Sequence, residues 1–286
     1  MAVRFLIAWV LLGALPTGGV WAGIQCLACH REHHTAVGEC VDCHRGDVRT
    51  QRIDVAHREL IGVRFAGFAL PDDAQTAAGA QWLDTLACRR CHRVGGTGNP
   101  LAVGLDGLFW EAAPEEVEAA LRTPVPGMPD FALSPAQRQA VVRALLRTSR
   151  HSERPTAEVP RIVHFEGAAS SGRDPFGVHC GGCHRALTVA HGGLGQGSTG
   201  PNLSGLFSPY YPAPTATEDQ RWDAVRLKRW LENPRALVVG AIMPPMRLNA
   251  GELEELLGIF STDGETATLA PRAADPVEVL RDGPVE

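Results

Sequence analysis

The chain has 286 residues, 44% of them apolar, a formal charge of -5, eight cysteines and eleven histidines. That length accommodates two small domains and a lesser third unit. The mild acidity, with no basic run, does not suggest a nucleic-acid or lipid-headgroup partner and suits a partner with a basic docking patch.

In chain order, residues 1–22 read as an export signal. Arg4 precedes an apolar run from Phe5 to Leu15 of about eleven residues, which Pro16, Gly18 and Gly19 break before Ala22. The run is well short of the roughly 20 residues needed to span a bilayer, so cleavage and an exported, periplasmic chain are expected, with no lasting membrane span. Residues 23–66 carry two cysteine pairs, Cys26/Cys29 and Cys40/Cys43, in a loop-rich stretch.

The segment 67–150 opens with helical periodicity from Ala74 to His92, with Cys88 and Cys91 at its end. Pro114, followed by Glu115 and Glu116, starts a helix to Leu121, and Ser134-Pro135 starts another to about Arg147. A polar linker over 151–164 leads to the segment 165–262. There Cys180 and Cys183 come first, a helix from about Asp223 to Leu231 stops near Asn233-Pro234, and a last helix spans Gly251 to Phe260. Ser208 to Asp219 is a Pro- and Tyr-rich insertion, and 263–286 reads as a disordered tail. Leu105-Asp106-Gly107-Leu108-Phe109 matches Leu203-Ser204-Gly205-Leu206-Phe207, which points to a duplicated helical unit.

Each cysteine pair has two intervening residues and is followed at once by a histidine: His30, His44, His92 and His184. By chance this would occur roughly twice in a million. Zinc, thiol exchange or a disulfide framework would need the cysteines but not that histidine. Covalent haem needs all three, because two thiols add to the vinyl groups and the adjacent imidazole reaches the iron. Four covalently bound haem c groups are expected, on Cys26, Cys29, Cys40, Cys43, Cys88, Cys91, Cys180 and Cys183.

The second axial ligand decides between an electron carrier and an open, substrate-binding iron. Met128, Met243 and Met246 all fall between a helix stop and the final helix of their segments. The N-terminal pair has no methionine within reach, but has His33, His34 and His57. His33 and His34 follow His30 within one helical turn and would share its side, so one of them serves the neighbouring haem and His57 the other. His151, His164, His179 and His191 need no special role, although His191 is an alternative to Met243.

Residues 74–148 and 165–261 resemble two small cytochrome c domains. The family places its axial methionine before a proline, matched by Pro126-Gly127-Met128-Pro129 and by Ala241-Ile242-Met243-Pro244, so the resemblance implies Met128 and Met243, with Met246 as an alternative. Gly200-Pro201-Asn202-Leu203 resembles the family segment whose proline carbonyl orients the proximal imidazole, whereas Gly98-Asn99-Pro100-Leu101 changes the order. Cys26 to Ile61 resembles the closely packed bis-histidine modules of multihaem cytochromes, which implies His33 rather than His34.

The fold expected is mainly α: two helical cytochrome c domains behind a loop-rich dihaem module. The function expected is a tetrahaem electron carrier in bacterial respiration rather than an enzyme. Its low-potential pair lies at the N-terminus, because methionine ligation raises the potential of the others. By analogy its donor is a quinol-oxidising membrane cytochrome, and its acceptor a reductase or an outer-membrane conduit. Dihaem peroxidases and sulfur-compound oxidoreductases, which need an open iron, supply the enzymatic alternative, and a self-stacking filament the structural one.

Overall fold

The computed structural model describes residues 25–152, 174–189, 191–212 and 221–260. The expected signal, most of the linker, the far half of the Pro- and Tyr-rich insertion and the tail lie outside these residues. Contacts divide the chain into two units, the first ending at Leu60.

The first unit has a single turn of 3-10 helix at Gln25–Ala28 and two short helices, α1 (Cys40–His44) and α2 (Ile53–Ala56). Helices of one turn do not hold themselves together in water. Main-chain bonds tie the pieces instead, from Gln25 N to Val48 O at 2.8 Å and from Asp47 N to Ala56 O at 3.0 Å. The second of these brings the end of α2, and hence His57, beside the segment that follows His44. Among the described residues before Ile61, no apolar side chain is buried. This unit therefore has no side-chain core of its own.

The second unit is helix-rich, in accord with the mainly α expectation. Its first part comprises α3 (Val63–Ala66), α4 (Ala74–Thr85), α5 (Leu108–Glu111), α6 (Pro114–Arg122) and α7 (Pro135–Ser149). Pairing of α4 with α7 organises this part. Gly79 makes the close crossing possible, since a Cβ there would lie 1.9 Å from the Ala140 carbonyl oxygen. Leu83 of α4 packs with Val141, Ala144 and Leu145 of α7 in a buried cluster. The start of α7 is fixed by Pro135 in its first turn and by a reciprocal cap between Ser134 and Gln137.

The helix expected from Ala74 to His92 ends earlier, at Thr85. Ala87 takes a left-handed conformation at φ 52°, and the Leu86 amide closes back on the Trp82 carbonyl. A straight helix would carry Cys88 on along the α4 axis, whereas the break re-aims the cysteine segment as a separate turn.

The second part has α8 (Pro175–His179), a hairpin of β1 (Ala186–Thr188) with β2 (Gly192–Leu194), then α9 (Ala224–Glu232), α10 (Pro234–Leu237) and α11 (Ala250–Ile259). The antiparallel hairpin pairs Ala186 with Leu194, an element the helical reading did not anticipate. Helices α9 and α11 follow the expected bounds closely, with Asp223 and Asn249 as their caps. Phe176, Leu206, Leu227, Leu231, Leu256 and Phe260 form the core.

The repeated phrase diverges in conformation. Leu108–Glu111 is helical after Gly107, whereas Gly205 adopts φ +65° and the chain continues as turns.

Candidate haem sites

The four cysteine–histidine motifs share one local geometry. The amides of His30, His92 and His184 bond the carbonyls of Cys26, Cys88 and Cys180 at 2.9, 3.0 and 2.9 Å, and Cys40–His44 is itself a helical turn. One such turn sets residues i, i+3 and i+4 on one face, so two sulfurs and an imidazole are presented together. Among the described residues no three His, Cys, Asp or Glu side chains converge on a point that would hold a bare metal ion. Burial pushes the Cys88 and Cys180 thiols up to about 11.

In the first unit, the His30 and His57 rings lie 5.8 Å apart between centroids, and those of His33 and His44 5.9 Å apart. Two imidazoles bound to one metal at about 2 Å each place their centroids roughly 6 Å apart. The donor set therefore fits two irons, each between two histidines, and the absence of a side-chain core fits two large apolar groups filling this unit. His33 also packs edge-on against His34, whose backbone is left-handed at φ 51°. Cys26 neighbours Cys40. Burial, and then the nearby Cys40 thiol, raise its pKa.

In the first part of the second unit, an apolar cleft of about 630 Å³ is lined by Cys88, Cys91, His92, Met128, Phe131 and Leu187, among others. The cleft thus brings His92 and Met128 into one site. His92 Nδ1 donates to the Val103 carbonyl at 2.8 Å, which leaves Nε2 free to ligate a metal. Val103 takes the orienting role that the altered Gly98-Asn99-Pro100 order put in question. Burial holds the His92 pKa below its usual value. Arg90 also lines the cleft, and its Nε is buried with no hydrogen-bond partner. A buried guanidinium nitrogen of that kind suits a carboxylate, and haem carries two propionates.

In the second part, His184 Nδ1 donates to the Pro201 carbonyl at 2.8 Å, as the resemblance implied. Gly200 permits that approach, because a Cβ there would lie 2.3–2.8 Å from the His184 ring atoms. Met243 and Met246 both pack against the core of this part. Among the described residues, of these two only Met243 has an indole bonded to its sulfur: Trp230 Nε1 donates to Sδ at 3.0 Å. His179, given no role, faces Glu252 at 3.4 Å, and His191 is exposed.

Sequence reasoning missed Val103, Arg90, Leu187 and Trp230. Trp230 had a signal of a kind, since it lies one residue inside the helix stop that precedes the methionine loop. Val103 and Leu187 had none, because both act through backbone placement and packing.

Residues 74–143 match the family model described as cytochrome c oxidase, cbb3-type, subunit III. No curated protein and no solved structure matches the chain.

Proposed function

We propose that this chain, a c-type cytochrome by its cytochrome c domain at 74–143 and so a haem electron-transfer protein, is an exported tetrahaem carrier. The observation that carries the number four is the pair of imidazole couples in the first unit, His30 with His57 and His33 with His44, each at the spacing of two axial ligands. Cys26/Cys29 and Cys40/Cys43 would anchor those two haems. Cys88/Cys91 with His92 and Met128, and Cys180/Cys183 with His184 and Met243, would hold the other two.

When bound, the haems supply reversible one-electron chemistry, at low potential with two histidines and at higher potential with histidine and methionine. The ligand types set that difference, and hydrogen bonds to the ligands would adjust it. Val103 and Pro201 accept a hydrogen bond from the proximal imidazoles, which fixes their tautomer and makes them stronger donors to iron. Trp230 draws electron density from the Met243 sulfur. Irons held by these pairs of residues would be six-coordinate and would leave no position for substrate, which supports a carrier over the peroxidase-like alternative.

Its partners are other redox proteins. A quinol-oxidising membrane cytochrome is the proposed donor, a reductase or outer-membrane conduit the proposed acceptor, and the periplasm the proposed location. Among the described residues no helix is long and apolar enough to cross a membrane. Intact mass spectrometry of the purified protein tests the reading: four haem additions are expected, and two or fewer would overturn the assignment of the first unit.

A further inference from the structure

The methionine loop of the first cytochrome c domain, Pro124-Val125-Pro126-Gly127-Met128-Pro129, is poor in internal ties. Three prolines remove amide donors, and the bond from Met128 N to Val125 O at 3.1 Å is a tight turn within the loop itself. The corresponding loop of the second domain is held from its own domain. Arg235 Nε donates to Ala241 O at 3.2 Å, Met246 N to Leu231 O at 2.7 Å, and Trp230 to Met243.

What holds the first loop from outside is Asn202, a residue of the second domain. Its Nδ2 donates to the Gly127 carbonyl at 3.2 Å, next to Met128. Its Oδ1 accepts from Ser204 N at 2.9 Å and Ser204 Oγ at 2.6 Å, so turning the amide over would set its NH2 against the Ser204 amide and its oxygen against the Gly127 carbonyl. Its own carbonyl accepts from Tyr211 Oη at 3.1 Å, and Arg90 Nη1 approaches it at 3.4 Å. The residue before it, Pro201, holds the His184 imidazole.

The surrounding contact is close. Leu187 is buried against Leu101, Ala102 and Cys91. A Cβ on Gly205 would lie 2.7 Å from both the Arg90 carbonyl and the Asn99 amide.

We infer that Asn202 is a positioning residue shared by two haem sites, fixing the Met128 loop of one domain to the His184 support of the other. The inference rests on the reading of both sites as haem sites. The geometry of methionine ligation in the first domain is set from the second, and displacement of one support segment is passed to the other site. Among the described residues nothing comparable runs in the reverse direction to Met243, whose loop is anchored within its own part.

Asn202→Asp keeps the acceptor for Ser204 and removes the donor to Gly127. The test uses the full-length holoprotein with methyl-labelled methionine, reading the upfield-shifted methyl resonances of iron-bound methionines in the reduced state, with Met128 assigned by Met128→Leu. Asn202→Asp moves or abolishes the Met128 methyl signal and shifts the potential of that haem, while the Met243 methyl stays in place. Asn202→Ala, the second variant, shows the same response at Met128. A change confined to Met243, or no change at either methyl in both variants, overturns the inference and leaves Asn202 a local brace of its own loop. Absence of any upfield methionine methyl in the unmutated protein instead overturns the underlying assignment of methionine-ligated haem.

Discussion

His33 and His44 stand edge to face, ring centroids 5.9 Å apart and planes 83° apart, although they belong to different cysteine–histidine motifs. The ring of His57 lies 5.8 Å from that of His30, tilted by 58°. Under the proposed function the two motifs would exchange distal ligands, with His33 serving the second motif and His57, at the end of α2, the first. Interleaving of this kind would make the two sites one folding problem.

The consequence for His33 is direct. Replacing it with alanine leaves the His44 iron five-coordinate, giving a high-spin component and carbon monoxide binding in about one quarter of the haem if four are present. His34→Ala leaves the low-spin spectrum unchanged. Absorbance and electron paramagnetic resonance of the two variants distinguish the residues.

Trp230 supplies a second test. Its indole bonds Met243 Sδ, and were Met243 the iron ligand this bond would withdraw electron density from it and so favour ferrous iron. Trp230→Phe removes the bond and keeps the ring's packing against Trp222. If the bond is worth about 1 kcal/mol more in the reduced state, the potential of that haem falls by roughly 40 mV. An unchanged potential would mean that the indole does not act on the ligand.

How much of this was legible in the sequence depends on which force fixes each part. Motif spacing marked four cysteine–histidine segments, each of which folds as the same kind of turn, and cap residues such as Ser134 and Asn249 marked the helix starts. The end of α4 was not legible. Ala87 has no intrinsic preference for the left-handed region, and only the need to re-aim Cys88 places it there. Nor was the Val103 bond to His92, since any residue has a carbonyl and only the path of the loop decides which one arrives. Leu187 and Asn202 belong to contact between the two parts of the second unit, which local periodicity does not encode.

Domain stability should depend on Asp73. Burial opposes its ionisation, but hydrogen bonds from Thr76 and the Arg143 guanidinium outweigh that and hold its carboxyl below the usual carboxylate value. A carboxylate depressed on folding contributes stability above its unfolded pKa of about 3.9, and that contribution is lost as pH falls through the lower folded value. Asp73→Ala costs about 2 kcal/mol near neutral pH, through loss of the α4 cap and of a half-buried ion pair. The gap between variant and parent closes at low pH. Denaturant unfolding at pH 7 and in strong acid measures both.

Gly79 sets the α4–α7 crossing, so Gly79→Val drives the helices apart and costs about 3 kcal/mol or more. The measurement is the unfolding midpoint of the holoprotein, and a midpoint within experimental error of the parent would contradict the crossing described.

The central claim, a saturated carrier with two classes of haem, is tested most directly by a spectroscopic redox titration of the purified protein. The account predicts two low-spin classes of equal amplitude. The higher-potential class alone should carry the weak methionine-to-iron band at the red end of the oxidised spectrum. A single class, or a high-spin component that binds cyanide or carbon monoxide in the unmutated protein, would contradict it.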